Sequence, residues 1–148
     1  MSGKKKIGVT FGSFDLCHAG HAVMFKECKE ICDYLIVGLQ SDPTIDRPLT
    51  KNRPIQTLEE RKTMLEAIRW VDEVFVYDTE SELYAWLKNN ANGIDVRIIG
   101  NDWKGKNFTG YDLPIKVYYN QRGHNWSSSE LRERVYSAEN IKRNNKVM

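Results

Sequence analysis

The feature that most constrains this chain is an alternation of short β-branched runs with stretches of helical periodicity. Ile7-Gly8-Val9-Thr10-Phe11 is a compact apolar run closed by Gly12, the pattern of a strand buried on both faces. From Ala19 to Cys32 apolar groups recur at Met24, Phe25, Cys28, Ile31 and Cys32, with Lys26, Glu27, Lys29 and Glu30 on the other face of a helix. Tyr34-Leu35-Ile36-Val37-Gly38-Leu39 is the next buried strand. Strand, helix and strand within about thirty residues make a βαβ unit.

The alternation continues. Residues 40–56 are polar and carry Pro43, Pro48 and Pro54, which predicts an irregular loop long enough to be functional. Thr57 reads as an N-cap whose capping box is completed by Glu60, opening a helix that buries Met64, Leu65, Ile68 and Leu58. Glu73–Tyr77 reads as a strand, Glu80–Asn90 as a helix ending near Asn92-Gly93, and Val96–Gly100 as a fourth strand. A polar loop from Asn101 to Pro114 leads to a fifth strand, Ile115–Tyr119, and Ser127 or Ser128 caps a last helix through about Ser137. The expected architecture is α/β: one domain over residues 1–148, Rossmann-like and doubly wound, a five-stranded mostly parallel sheet with helices on both faces. Residues 1–5 and 140–148 are expected to be flexible tails.

Composition removes several function classes. Lys plus Arg number 22 against 20 Asp plus Glu, a net charge of +2, which gives no reason to expect a nucleic-acid partner. No apolar run approaches the roughly twenty residues of a membrane span. With 41% hydrophobic and 28% charged residues the chain has the balance of a folded domain. Lys4-Lys5-Lys6 has no apolar stretch behind it and so is not a secretory signal. Three cysteines, an odd number in a chain of this size, suit a reduced, cytoplasmic protein.

Ligands of doubly wound sheets bind at the carboxyl ends of the strands, which singles out the loops at 12–21, 41–56, 101–106 and 122–129. The first reads Gly12-Ser13-Phe14-Asp15-Leu16-Cys17-His18-Ala19-Gly20-His21. Two histidines at a helix start lie near free backbone N–H groups and a field that favours anions, and Gly20 admits a close approach. The bland reading makes both histidines caps with satisfied ring nitrogens. A zinc site from Cys17, His18, His21, Cys28 and Cys32 can be written on paper, but Cys28 and Cys32 continue an apolar stripe, so no protein side chains are assigned to a metal.

Gly12-Ser13-Phe14-Asp15 followed by His18-Ala19-Gly20-His21 resembles the signature of the HxGH nucleotidyltransferases, and within them the cytidylyltransferases. Glu60-Arg61 with the segment from Ala67 to Val74 is similar to the family's second helix and following strand. Gly100-Asn101-Asp102-Trp103-Lys104-Gly105-Lys106 resembles a Gly-Asp-Asp-Trp segment of glycerol-3-phosphate cytidylyltransferases. The resemblance implies transfer of CMP from CTP to a small phosphorylated alcohol, glycerol 3-phosphate first, with pyrophosphate released by direct in-line attack. It implies catalytic roles for His18, His21, Lys51 and Arg122. Nucleotide contacts are implied for Thr10, Phe11, Gly12, Ser13, Phe14, Asp15, Gly20, Gly100, Asp102, Arg122, Ser127 and Ser128. Acceptor contacts are implied for Asp15, Arg61, Arg69 and Trp103. Mg²⁺ on the triphosphate, a homodimer and a pathway to wall or capsule polymers complete the expectation.

Departures open alternatives. Where the family has Arg-Thr-Glu-Gly-Ile-Ser-Thr this chain has Arg122-Gly123-His124-Asn125-Trp126-Ser127-Ser128, which places base and acceptor recognition in question. Arg53-Pro54 ahead of the Glu60-Arg61 helix is reminiscent of sugar-phosphate and flavin adenylyltransferases. The rival reading is therefore an ATP-dependent adenylyltransferase of the same fold acting on a sugar phosphate or other phosphorylated acceptor. A rival of another class is a non-catalytic nucleotide-binding protein. Asp15 also has a bland reading, orienting its loop through backbone hydrogen bonds, and Arg61 and Arg69, eight apart, would project from nearly one helix face.

Overall fold

A computed structural model describes residues 4–121 and 123–147. Strands β1 (Ile7–Gly12), β2 (Tyr34–Gln40), β3 (Glu73–Tyr77), β4 (Val96–Ile99) and β5 (Val117–Tyr119) alternate with helices α1 (Ala19–Ile31), α2 (Leu58–Ala67) and α3 (Glu80–Asn90), and α4 (Ser128–Val147) closes the chain. The strand order is β3-β2-β1-β4-β5 and every pairing is parallel. The order reverses between β1 and β4, which opens a crevice at their carboxyl ends.

The period of two along each strand builds two cores. Leu35, Val37, Leu39, Val96 and Ile98 face Phe25 and Cys28 of α1 and Leu65 of α2. Val9, Phe11, Ile36, Phe75 and Tyr77 face the opposite side, where Leu83, Trp86 and Leu87 of α3 cover them. Phe75 stacks on Trp86 with ring centroids 4.3 Å apart. Cys28 and Cys32 lie in the first core, Cys28 donating to Met24 Sδ at 3.5 Å, and no group of three or more potential metal ligands occurs among the described residues. No helix among the described residues is long and apolar enough to cross a membrane.

The predicted capping box is present, with Thr57 Oγ1 accepting from Glu60 N–H at 3.1 Å and Glu60 Oε1 accepting from Thr57 N–H at 2.9 Å. Three expectations need correction. Met64 is 44% exposed, because the stripe that α2 turns inward runs through Leu58, Arg61 and Leu65 and leaves Met64 beside it. β5 begins at Val117, since Ile115 N–H turns back to the Leu113 carbonyl. The last helix does not stop near Ser137 but takes in residues 140–147. They continue α4, whose long straight-chain residues suit a helix and whose exposed face carries Arg134–Glu130 and Arg143–Glu139 pairs at i, i+4.

Candidate active site

A cleft of about 850 Å³ lies over the carboxyl ends of β1 and β4, near the upper end of the small-molecule range of about 300–1,000 Å³. Its first wall is the turn into α1. Phe14 and Leu16 hold positive φ values of 48° and 51°, a left-handed backbone that costs about 1–2 kcal/mol per residue. The surroundings hold the turn in place. Phe14 packs on Phe25, both Asp15 carboxylate oxygens accept from Ile55 and Gln56 N–H, and Leu16 N–H donates to Gln56 Oε1.

That turn delivers the two imidazoles. His18 is the N-cap of α1, its Nδ1 accepting from Gly20 N–H at 3.0 Å, while His21 Nδ1 accepts from His18 N–H at 3.1 Å. A nitrogen that accepts carries no proton, so each neutral ring bears its hydrogen on Nε2. His18 Nε2–H donates to Ser128 Oγ at 3.2 Å, across to the first residue of α4. The rings lie 4.1 Å apart between centroids, and both residues line the cleft. The capping reading and the donor reading thus describe opposite edges of the same rings. Gly20 is needed for closeness, because a Cβ there would come 2.7 Å from His18 Cε1.

Two helix N-termini meet at this corner, those of α1 and α4. Ser127 Oγ accepts from Glu130 N–H and its carbonyl from Leu131 N–H, so Ser127 caps α4. The positive ends of two helix dipoles suit a phosphate. The far end of the cleft is formed by the short 3₁₀ turn Asn101–Trp103 after β4, with Asn120 Oδ1 accepting from Asn101 N–H. A Cβ on Gly100 would sit 2.5 Å from Asp102 Oδ1.

Burial, then the charge of His18, lowers the His21 pKa to about 4 from 6.5, with Asp15 opposing. His21 is therefore a neutral donor at pH 7. The sign for stability follows. Between pH 4 and 6.5 the unfolded chain binds a proton that the folded one refuses, so this contribution is complete above pH 6.5 and is lost as pH falls toward 4. It amounts to about 3 kcal/mol. We expect stability measured by urea unfolding to fall over that window, and the fall to be smaller in His21→Gln, whose side chain does not titrate.

The cleft brings together His18, His21, Lys51, Thr10, Phe11, Gly12, Ser13, Gly20, Gly100, Asp102, Trp103, Ser127 and Ser128. Arg122 lies outside the described residues. Phe14, Asp15, Arg61 and Arg69 do not line it. Phe14 is core, and Asp15 is engaged by the 55–56 backbone and pairs with Arg132 at 3.7 Å. Arg61 is 2% exposed and donates to the carbonyls of Gln56, Ser13, Gln40 and Ser41. Arg69 follows the end of α2, so the spacing of eight does not put it on the helix face of Arg61. It is exposed, with its guanidinium 5.6 Å from the Trp70 ring centroid. The cleft also contains residues that sequence reasoning passed over, notably Tyr77, Glu80 and Arg97. A signal existed for Arg97, a charge inside the buried run Val96-Arg97-Ile98-Ile99.

Comparison with known proteins bears on this arrangement. The model of the cytidylyltransferase-like family matches residues 9–134. The bifunctional protein HldE of Campylobacter concisus is 33% identical over 140 residues, covering 95% of this chain and 29% of that protein. HldE of Wolinella succinogenes is 39% identical over 113 residues, covering 76% and 23%. This chain thus spans less than a third of the length of these curated relatives. Among solved structures, a lipopolysaccharide core biosynthesis protein from Thermoplasma volcanium superposes with a TM-score of 0.66 at 21% identity, covering 82% of this chain and all of that one. A bifunctional NMN adenylyltransferase/ADP ribose pyrophosphatase from Francisella tularensis, complexed with AMP and a manganese ion, gives 0.62 at 17% identity, covering 90% and 42%. These two structures share the fold.

Proposed function

This chain belongs to the cytidylyltransferase-like family and is a nucleotidyltransferase, and from that premise we propose that it transfers AMP from ATP to a sugar phosphate. The observation that carries the reaction is the pair of Nδ1-capped imidazoles, His18 and His21, at the junction of two helix N-termini. In this reading an oxygen of the acceptor's phosphate attacks the α-phosphorus. The new P–O bond forms as the bond to the bridging β-phosphate oxygen breaks, and pyrophosphate leaves with that electron pair. No protein nucleophile is needed. The Nε2–H donors answer the charge that moves toward the leaving group, while the N-termini of α1 and α4 hold the phosphates. Lys51, which lines the cleft, adds positive charge from the long loop.

The donor set suits a magnesium ion that arrives on the triphosphate. The cleft carboxylates Asp102, in the 3₁₀ turn after β4, and Glu80, at the start of α3, stand on different elements, and no trio of protein ligands occurs among the described residues. Such an ion neutralises phosphate charge when bound. A homodimer and a cytoplasmic setting belong to the same proposal.

ATP and a sugar phosphate are favoured by the AMP complex of one structural relative and the lipopolysaccharide role of another, and by Arg53-Pro54 in the loop. CTP with glycerol 3-phosphate is the second reading, favoured by the Gly100–Lys106 segment. Pyrophosphate release from ATP, CTP, GTP and UTP, each with a hexose 1-phosphate or glycerol 3-phosphate and Mg²⁺, separates them. ATP with the hexose phosphate is the expected pair. CTP with glycerol 3-phosphate would establish the second reading, and binding without turnover of any pair would reject both.

A further inference from the structure

Among the described residues three buried side-chain polar atoms lack a hydrogen-bonding partner: Arg47 Nε, Glu80 Oε2 and Arg97 Nε. All three residues line the one cleft. Buried polar groups are nearly always satisfied, so three orphans gathered in one wall call for partners that the protein does not supply. Arg97 is the most telling. It is 6% exposed, its guanidinium carbon lies 5.1 and 4.8 Å from the ring centroids of Phe11 and Phe108, and its hydrogen bond goes to the Thr109 carbonyl. Among the described residues it makes no salt bridge. Arg47 pairs with Glu80 at 3.2 Å, and Asp46 Oδ2 accepts from Glu80 N–H, so the wall is held in place from behind.

We infer that this wall is the subsite for the body of the acceptor and that it reads the hydroxyl groups of a polyhydroxylated phosphate such as a sugar phosphate. The inference rests on the nucleotidyl-transfer reading. The orphans are two donors and one acceptor, and a hydroxyl both donates and accepts. An anionic group accepts only and would leave Glu80 Oε2 without a donor, and an apolar group would leave all three atoms unpaired. Phe11 and Phe108 offer apolar surface to the carbon face of a sugar ring.

The test is steady-state kinetics with the nucleotide that the wild type uses, on a hexose 1-phosphate, its monodeoxy analogues and glycerol 3-phosphate. The variants are Arg97→Met and Glu80→Ala, chosen so that one remains informative if the other fails to fold. Either variant is expected to raise KM for the hexose phosphate about tenfold, the scale of one lost hydrogen bond, with KM for the nucleotide within twofold of wild type. The penalty should shrink on the monodeoxy analogue that lacks the hydroxyl being read. An equal penalty on every acceptor, a rise confined to the nucleotide KM, or a wild-type preference for a carboxylated sugar phosphate would overturn the assignment. A wild type that turns over no acceptor would instead remove the transferase reading, and this subsite with it.

Discussion

Replacing His18 or His21 by Ala is expected to lower kcat by about 10²–10³-fold, the usual consequence of removing one donor aimed at charge that develops in a transition state. KM for both substrates should move by only a few-fold. The structure explains why the fold survives. Each substitution removes one half of the capping box of α1, a cost of about 1 kcal/mol, while Phe25 and Cys28 still anchor the helix in the core. Because the rings sit 4.1 Å apart and share a cap, the double variant should lose less than the product of the two single losses. Rapid-quench measurement of the chemical step checks this directly. A loss confined to affinity would mean that the rings bind phosphate without acting on the transition state.

The second large effect is one of stability. Arg61→Ala should destabilise the fold by about 3–5 kcal/mol, since it removes the single group that satisfies carbonyls from three separate segments. Those carbonyls belong to Ser13 in the turn before α1, to Gln40 and Ser41 at the end of β2, and to Gln56 ahead of α2. For a chain of this size the shift in Tm is about 6–20 °C. Arg61→Lys should rescue little, because one ammonium cannot reproduce a planar fork of donors. Thermal and urea unfolding of both variants test this, and near-wild-type stability in Arg61→Ala would show that the loops hold themselves.

Arg61 also marks the boundary of what the sequence could convey. The elements were legible because each has a local cause. Thr57 and Glu60 satisfy one another's backbone groups, and Glu73–Tyr77 and Glu80–Asn90 stand where periodicity put them. The histidine pair was legible for the same reason, since His18, Gly20 and His21 make their caps within four residues. Arg61 was not. On a helix wheel it is one cation among polar neighbours, and its burial follows from three loops converging in space. Arg69 was misplaced because the helix stops at Ala67, and the length of α4 was missed because its support is a series of weak i, i+4 pairs on a polar face. Arg97 carried a signal, a charge in a buried strand, whose meaning became visible only when Glu80 and Arg47 appeared on the same wall.

The central claim is that the corner built by His18, His21 and Ser128 joins an acceptor's phosphate directly to the α-phosphorus of a nucleoside triphosphate. It is tested most directly by ³¹P nuclear magnetic resonance of the protein with Mg²⁺-ATP and a hexose 1-phosphate. The expected spectrum shows pyrophosphate growing in step with two mutually coupled resonances of a new diphosphate diester, both absent with His18→Ala over the same period. Release of inorganic phosphate, or consumption of ATP while the sugar phosphate persists, would contradict direct transfer.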